Sequence, residues 1–192
     1  MNKAVLAILE ETEAIRKGHF QLTSGCHSDT YIQCARVLEH PRLTRQLAAW
    51  AVDQLPGELQ TGIDLVASPA VGGILFGFAV ADCLDVPMVF SERVQGQMQF
   101  RRAFQLPIGG RVLVVEDVVT SGGSVAEVIA LVEAAGAEVV GVVSLIDRGG
   151  IPVFSSPFFP LLRLVTPSWL PEDCQLCNQD VAMDSPGSRR LG

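Results

Sequence analysis

Apolar positions along the chain fall into two rhythms. Short solid runs at residues 65–67, 87–90, 112–115 and 138–146 have the length and β-branched content of strands buried on both faces. Between them, residues 72–84 and 125–135 read as apolar helices, the second closed by Gly136. Strand and helix alternate across residues 64–146, which predicts an α/β fold with a doubly wound, mostly parallel sheet. Ligands of such sheets gather at the carboxyl ends of the strands.

The flanks are less regular. Residues 3–17 carry Val5, Leu6, Ile8, Leu9 and Ile15 at helical spacing, with Gly18 as the expected stop. Phe20 to Leu22 and Thr30 to Ile32 read as short strands about a polar turn that contains His27. Pro41 is placed to open a helix that runs to about Leu55. Residues 91–101 show no clean period around Gly96 and are expected to form a mobile loop. From Pro167 onward the chain is polar and turn-rich, an irregular appendage.

Size and charge narrow the field. A chain of 192 residues that is 48% hydrophobic suits one domain, 1–192, with a sizeable core over about 60–150. A net charge of −7 with only 14 Lys and Arg argues against a nucleic-acid partner. An acidic protein that binds a polyanion must neutralise it locally, with backbone N–H groups, Arg and a metal ion. No run of 18 apolar residues and no leader pattern is visible, so neither a membrane span nor secretion is expected. Five cysteines, an odd number, then read as reduced thiols of a cytoplasmic protein.

The chemistry concentrates in residues 112–124. A buried strand ends in two acids, Glu116 and Asp117. The small residues Thr120, Ser121, Gly122, Gly123 and Ser124 follow and lead into a helix. Strand, small-residue loop and helix N-terminus make an anion site from free N–H groups and the helix dipole. Two carboxylates would repel a bare phosphate. They fit if they face the hydroxyls of a sugar that carries it. The pattern is neither a Walker loop nor a dinucleotide loop. A second glycine-rich turn, Ser68-Pro69-Ala70-Val71-Gly72-Gly73, also joins a strand to a helix, and an unusual backbone is expected there, a cis peptide among its forms.

The segment Glu116-Asp117 through Ser124 resembles the signature of type I phosphoribosyltransferases. The resemblance implies that family's fold, with a small hood built from about residues 1–40 and the tail, 167–192. It implies that Glu116 and Asp117 bind the ribose hydroxyls of 5-phosphoribosyl-1-pyrophosphate and that residues 120–124 cradle its 5-phosphate. By the same resemblance Ser68, Ala70, Val71 and Gly72 belong to the pyrophosphate loop. Gly18-His19-Phe20-Gln21-Leu22-Thr23-Ser24-Gly25 and His27-Ser28-Asp29-Thr30-Tyr31-Ile32 resemble the N-terminal motif of orotate phosphoribosyltransferases, and Glu92-Arg93 with Arg101-Arg102-Ala103-Phe104 resemble that family's catalytic loop.

That likeness implies transfer of phosphoribose to orotate in pyrimidine synthesis, Mg²⁺ held mainly by substrate oxygens, and a homodimer. Arg93, Arg101 and Arg102 would clamp the pyrophosphate. Arg148 would meet the orotate carboxylate or else pair near Asp147. Thr23, Ser24 and Tyr31 would lie by the base, with strand core an equal role for Tyr31. His27 reads as a surface turn residue rather than a substrate contact. Cys26 and Gln97 stand where family members commonly carry Lys. The alternatives are transfer to a purine or other base, and a non-catalytic sensor of the phosphoribosyl donor. Cys174 and Cys177 have metal spacing, but a structural zinc takes about four ligands and no second such pair is present. A packed thiol pair or a tail disulfide is the preferred reading.

Overall fold

A computed structural model describes residues 1–22 and 24–186. The first half contains α1 (Asn2–Glu11), β1 (Ile15–Gln21), β2 (His27–Ile32), α2 (Ala35–Leu38), α3 (Pro41–Asp53), α4 (Gly57–Gln60), β3 (Leu65–Pro69) and α5 (Gly72–Leu84). The second half contains β4 (Met88–Val94), β5 (Gln97–Phe100), β6 (Arg111–Val119), α6 (Gly123–Ala134), β7 (Glu138–Asp147), β8 (Phe158–Arg163) and β9 (Met183–Asp184).

Six strands form the main sheet in the order β5-β4-β3-β6-β7-β8. All neighbours are parallel except the edge pair β4–β5. The solid apolar runs are the reason. Val112, Leu113, Val114 and Val115 are fully buried because both faces of β6 are covered. Leu113 and Val115 pack towards α1, α3 and α5, while Val112 and Val114 pack towards α6. Each such side chain contributes about 1.5–3 kcal/mol by leaving water. The expected α/β architecture with a mostly parallel sheet is what the chain adopts.

A second, three-stranded sheet, β2-β1-β9, carries the chain ends. Here several expectations fail. The first helix stops at Glu11 instead of residue 17, and Gly18 lies inside β1. Pairing with β2 buries Ile15, His19 and Phe20, and that tertiary gain overrides the helical spacing of Ile15. His27 is not a surface turn residue: it is 5% exposed, within β2, and bridged to Trp169. Residues 91–101 are not a free loop but the β4–β5 hairpin. Gln95 and Gly96, with φ of 50° and 84°, make its tight turn, and Met98 anchors it in the core. The acid pair does not end its strand either, since β6 continues to Val119 opposite Asp147 of β7.

Candidate active site

The carboxyl end of β6 turns into α6 through Thr120, Ser121 and Gly122. Gly122 holds a left-handed φ of 78°, and a Cβ there would lie 2.6 Å from the Phe154 ring. Only glycine fits. It lets α6 begin at Gly123 with its first N–H groups unused by the helix. Thr120, Ser121, Gly122, Gly123 and Ser124 line a cavity of about 340 Å³ together with Glu116 and Glu127. The five small residues thus surround one hollow at a positive helix end, the arrangement that takes a phosphate.

The second glycine turn sits against the acid pair. A Cβ on Gly72 would lie 2.6 and 2.8 Å from the two Asp117 carboxylate oxygens, and one on Gly73 would lie 2.9 Å from Oε1 of Glu116. Both glycines are therefore dictated by close approach. The Ala70–Val71 peptide is cis, so the unusual backbone expected there is present. Ser68 is fully buried and Val71 is exposed. Glu116 is 8% exposed, and burial, reinforced by the neighbouring Asp117 carboxyl, pushes its carboxyl up to about 9. Burial thus favours its protonated form, which can donate a hydrogen bond. Asp117 is more open, and its Oδ1 accepts from the Val118 N–H at 2.9 Å.

A larger cavity of about 580 Å³ opens beside the first, and Thr120 belongs to both walls. Ser24, Tyr31, Arg148, Gly149, Gly150 and Thr166 are among the residues that line it. The Arg148 Nη2 donates to Thr166 Oγ1 at 2.9 Å, but its buried Nε has no partner among the described residues. Asp147 does not serve that charge: its carboxylate accepts from the Gly149 N–H at 2.8 Å and pairs with Arg163 at 3.5 Å. Burial lowers the pKa of Arg148, the sign of a cation short of solvation. Tyr31 stands in the cavity wall, its ring 5.6 Å from that of Phe20, so it serves strand packing and cavity at once. Thr23 lies outside the described residues.

The family model described as phosphoribosyl transferase domain matches residues 34–155. The chain belongs to that family. It is 43% identical over 188 residues to an orotate phosphoribosyltransferase of Caldanaerobacter subterraneus subsp. tengcongensis, which covers 97% of both chains. The crystal structure of orotate phosphoribosyltransferase from Aeropyrum pernix superposes with a TM-score of 0.72 at 25% identity, covering 83% of this chain and 93% of that one. An adenine phosphoribosyltransferase from Rhodothermus marinus shares the fold, with a TM-score of 0.63 at 24% identity over 85% of this chain and all of the other (100%). The phosphoribosyltransferase fold by itself therefore does not choose the base.

In this phosphoribosyltransferase the three hairpin arginines stand apart from the two cavities. Arg93 donates to Glu127 Oε1 and to the Gly96 carbonyl, both at 2.6 Å, and reaches the phosphate cavity only through Glu127. Arg102 pairs with Glu92 at 2.9 Å and lies 5.5 Å above the Phe90 ring. Arg101 is exposed on the same connection. Sequence reasoning missed Thr166 and Ser168, which follow β8 and complete the wall of the larger cavity. The one available signal was a pair of hydroxyl residues around Pro167 after an apolar run, and β8 itself went unread.

Proposed function

We propose that this protein is an orotate phosphoribosyltransferase that joins orotate N1 to C1 of 5-phosphoribosyl-1-pyrophosphate and releases pyrophosphate. The observation that carries the choice of base is Arg148, a half-buried side chain whose buried Nε has no partner among the described residues, in the wall of the cavity next to the phosphate cradle. A planar base bearing a carboxylate answers that charge, and a purine does not. The curated relatives bearing the orotate name match the chain almost end to end, which supports the same reading.

The roles follow from position. The N–H groups of residues 120–124 hold the 5-phosphate. Asp117 accepts from one ribose hydroxyl, and neutral Glu116 donates to or accepts from the other. Ser68, Ala70, Val71 and Gly72 supply the pyrophosphate side. Breaking the C1–O bond to pyrophosphate and forming the C1–N bond to orotate pass through an oxocarbenium-like state, so the protein's task is to hold the partners in line and stabilise separating charge. Arg93, Arg101 and Arg102 reach the leaving pyrophosphate by exchanging Glu127 and Glu92 for it as the hairpin folds over, which excludes water. Mg²⁺ fits this donor set, because the acid pair offers only oxygen atoms; Asp117 would stand beside an ion held mainly by substrate oxygens, which would supply positive charge against the pyrophosphate. The enzyme is cytoplasmic and homodimeric in this reading. Val71, Leu75 and Phe78, all exposed at the start of α5, offer an apolar face for the partner. No helix among the described residues is long and apolar enough to cross a membrane.

The test is spectrophotometric consumption of orotate with the pyrophosphate donor and Mg²⁺, beside equilibrium binding of adenine, hypoxanthine and uracil. Turnover with orotate and weak binding of the other bases is expected; preference for a purine overturns the assignment. Gln97 in place of a loop lysine favours a second reading, a donor-binding sensor. Tight donor binding with no turnover would select it.

A further inference from the structure

Away from both cavities, four side chains converge on one point. His19 and His27 come from β1 and β2, and Cys174 and Cys177 from the tail, with all four ligand atoms within 4.8 Å of one another. The His19 Nε2 lies 3.2 Å from His27 Nδ1, 3.5 Å from Cys174 Sγ and 3.7 Å from Cys177 Sγ. The Cys177 Sγ lies 3.3 Å from His27 Nδ1. An ion bound tetrahedrally at about 2.3 Å from sulfur and 2.0–2.1 Å from nitrogen places its ligand atoms about 3.3–3.8 Å apart. The observed spacings fall on that scale.

The proton positions agree. The Val181 carbonyl sits 2.8 Å from His19 Nδ1 and can only accept, so Nδ1 carries the proton and Nε2 turns its lone pair inward. His19, His27 and Cys174 are 3%, 5% and 0% exposed, which is where unshared lone pairs are most costly. One soft-to-borderline cation removes that cost for all four groups.

We infer that His19, His27, Cys174 and Cys177 form a structural zinc site that fastens the tail to the β1–β2 sheet. Two sulfurs and two imidazoles select zinc over Mg²⁺, and four protein ligands leave no position open for chemistry. The site stands next to backbone ties of the same two segments. His27 and Trp169 exchange both main-chain hydrogen bonds, and Ser28 Oγ donates to the Pro167 carbonyl at 2.7 Å. Beyond those ties, Gln21, Leu22, Tyr31 and Ile32 from the sheet, with Thr166 and Ser168 from the tail, wall the larger cavity. Zinc therefore locks two sides of that cavity together. Disulfide formation between the two cysteines would compete with it, and both are free thiols here.

The experiment uses the full chain, purified without a histidine tag, and counts zinc by mass spectrometry after dialysis. About one ion per chain is expected, released stoichiometrically when a mercurial titrates the thiols. Cobalt substitution should give tetrahedral ligand-field bands and a thiolate charge-transfer band, the latter about halved in Cys174→Ser or Cys177→Ser. Chymotrypsin, for which Trp169 and Leu176 are sites, should cut the tail of the chelator-treated protein faster than that of the zinc form. Should the variants fail to fold, thiol titration of the native chain still decides. Below about a tenth of an ion per chain after growth with zinc, with an unfolding midpoint indifferent to added zinc, overturns the site. So does a Cys174–Cys177 disulfide in the native protein, or full zinc retention in the double Cys→Ser variant.

Discussion

The two cavities that meet at Thr120 are made differently. The phosphate cavity comes from one stretch of chain, residues 116–127, and offers mostly backbone. Its neighbour draws on five stretches, around residues 21–24, 31–32, 120, 148–150 and 165–168, and offers side chains. A backbone cradle at a helix end binds any phosphate that fits, and Gly122, held by its left-handed φ and its contact with Phe154, tolerates no side chain. A wall assembled from distant side chains can be altered one residue at a time. Donor binding and catalysis should therefore fail together when the first is touched, while changes to the second should move base affinity alone.

The largest break should come from Asp117→Asn. It keeps the size of the side chain and loses the charge proposed to face the ribose, so turnover should fall by about 10²–10³-fold. The unfolding midpoint should stay put, since Asp117 is only partly buried. Near-normal kinetics would mean that the sugar lies elsewhere. Arg148→Ala addresses the other cavity. Loss of charge-assisted hydrogen bonds worth about 1.5–3 kcal/mol should raise the KM for orotate by about 10–100-fold and leave the KM for the donor nearly unchanged. A parallel rise in both would erase the division between the cavities.

Gly72→Ala tests the contact between the second glycine turn and the acid pair. The new methyl would press on the Asp117 carboxylate, 2.6 Å away, and a clash of about 1–3 kcal/mol should weaken donor binding about tenfold or more. Steady-state titration of the donor reads it directly. Unaltered affinity would show that the loop can yield without disturbing the acid pair.

The same contrast explains what could be read from residues alone. The β6–α6 segment was legible because strand, acids, glycines and helix are adjacent in the chain and each obeys a local rule. The parallel core was legible for the same reason, from the solid run of Val112 to Val115. The β1–β2–β9 sheet was legible only in part, as two short strands about a turn. Its strand β1 carries a helix-compatible spacing at Ile15, and only pairing with β2 and the tail decides its form. His27 reads as a turn residue and His19 only as part of the N-terminal motif, since nothing local says that Cys174 and Cys177 arrive beside them. The β4–β5 hairpin failed for a smaller reason: its turn uses Gln95 in a left-handed conformation, a position where sequence usually announces Asn or Gly.

The smallest expected effect on catalysis separates the two members of the acid pair. In the folded chain Glu116 releases its proton only near pH 9, whereas an unfolded Glu does so near 4.5. Between those values the folded state keeps a proton that the unfolded state has lost, so stability declines as pH rises and levels off above about 9. Glu116→Gln never ionises and should lack that slope. Its unfolding midpoint should gain on that of the native chain between pH 5 and pH 8, each kcal/mol being worth about 2–4 °C at this size. The amide still donates and accepts, so catalysis should suffer less than in Asp117→Asn. A midpoint difference that does not change with pH would mean that Glu116 is charged in the folded chain, and the neutral donor in the sugar site would have to be given up.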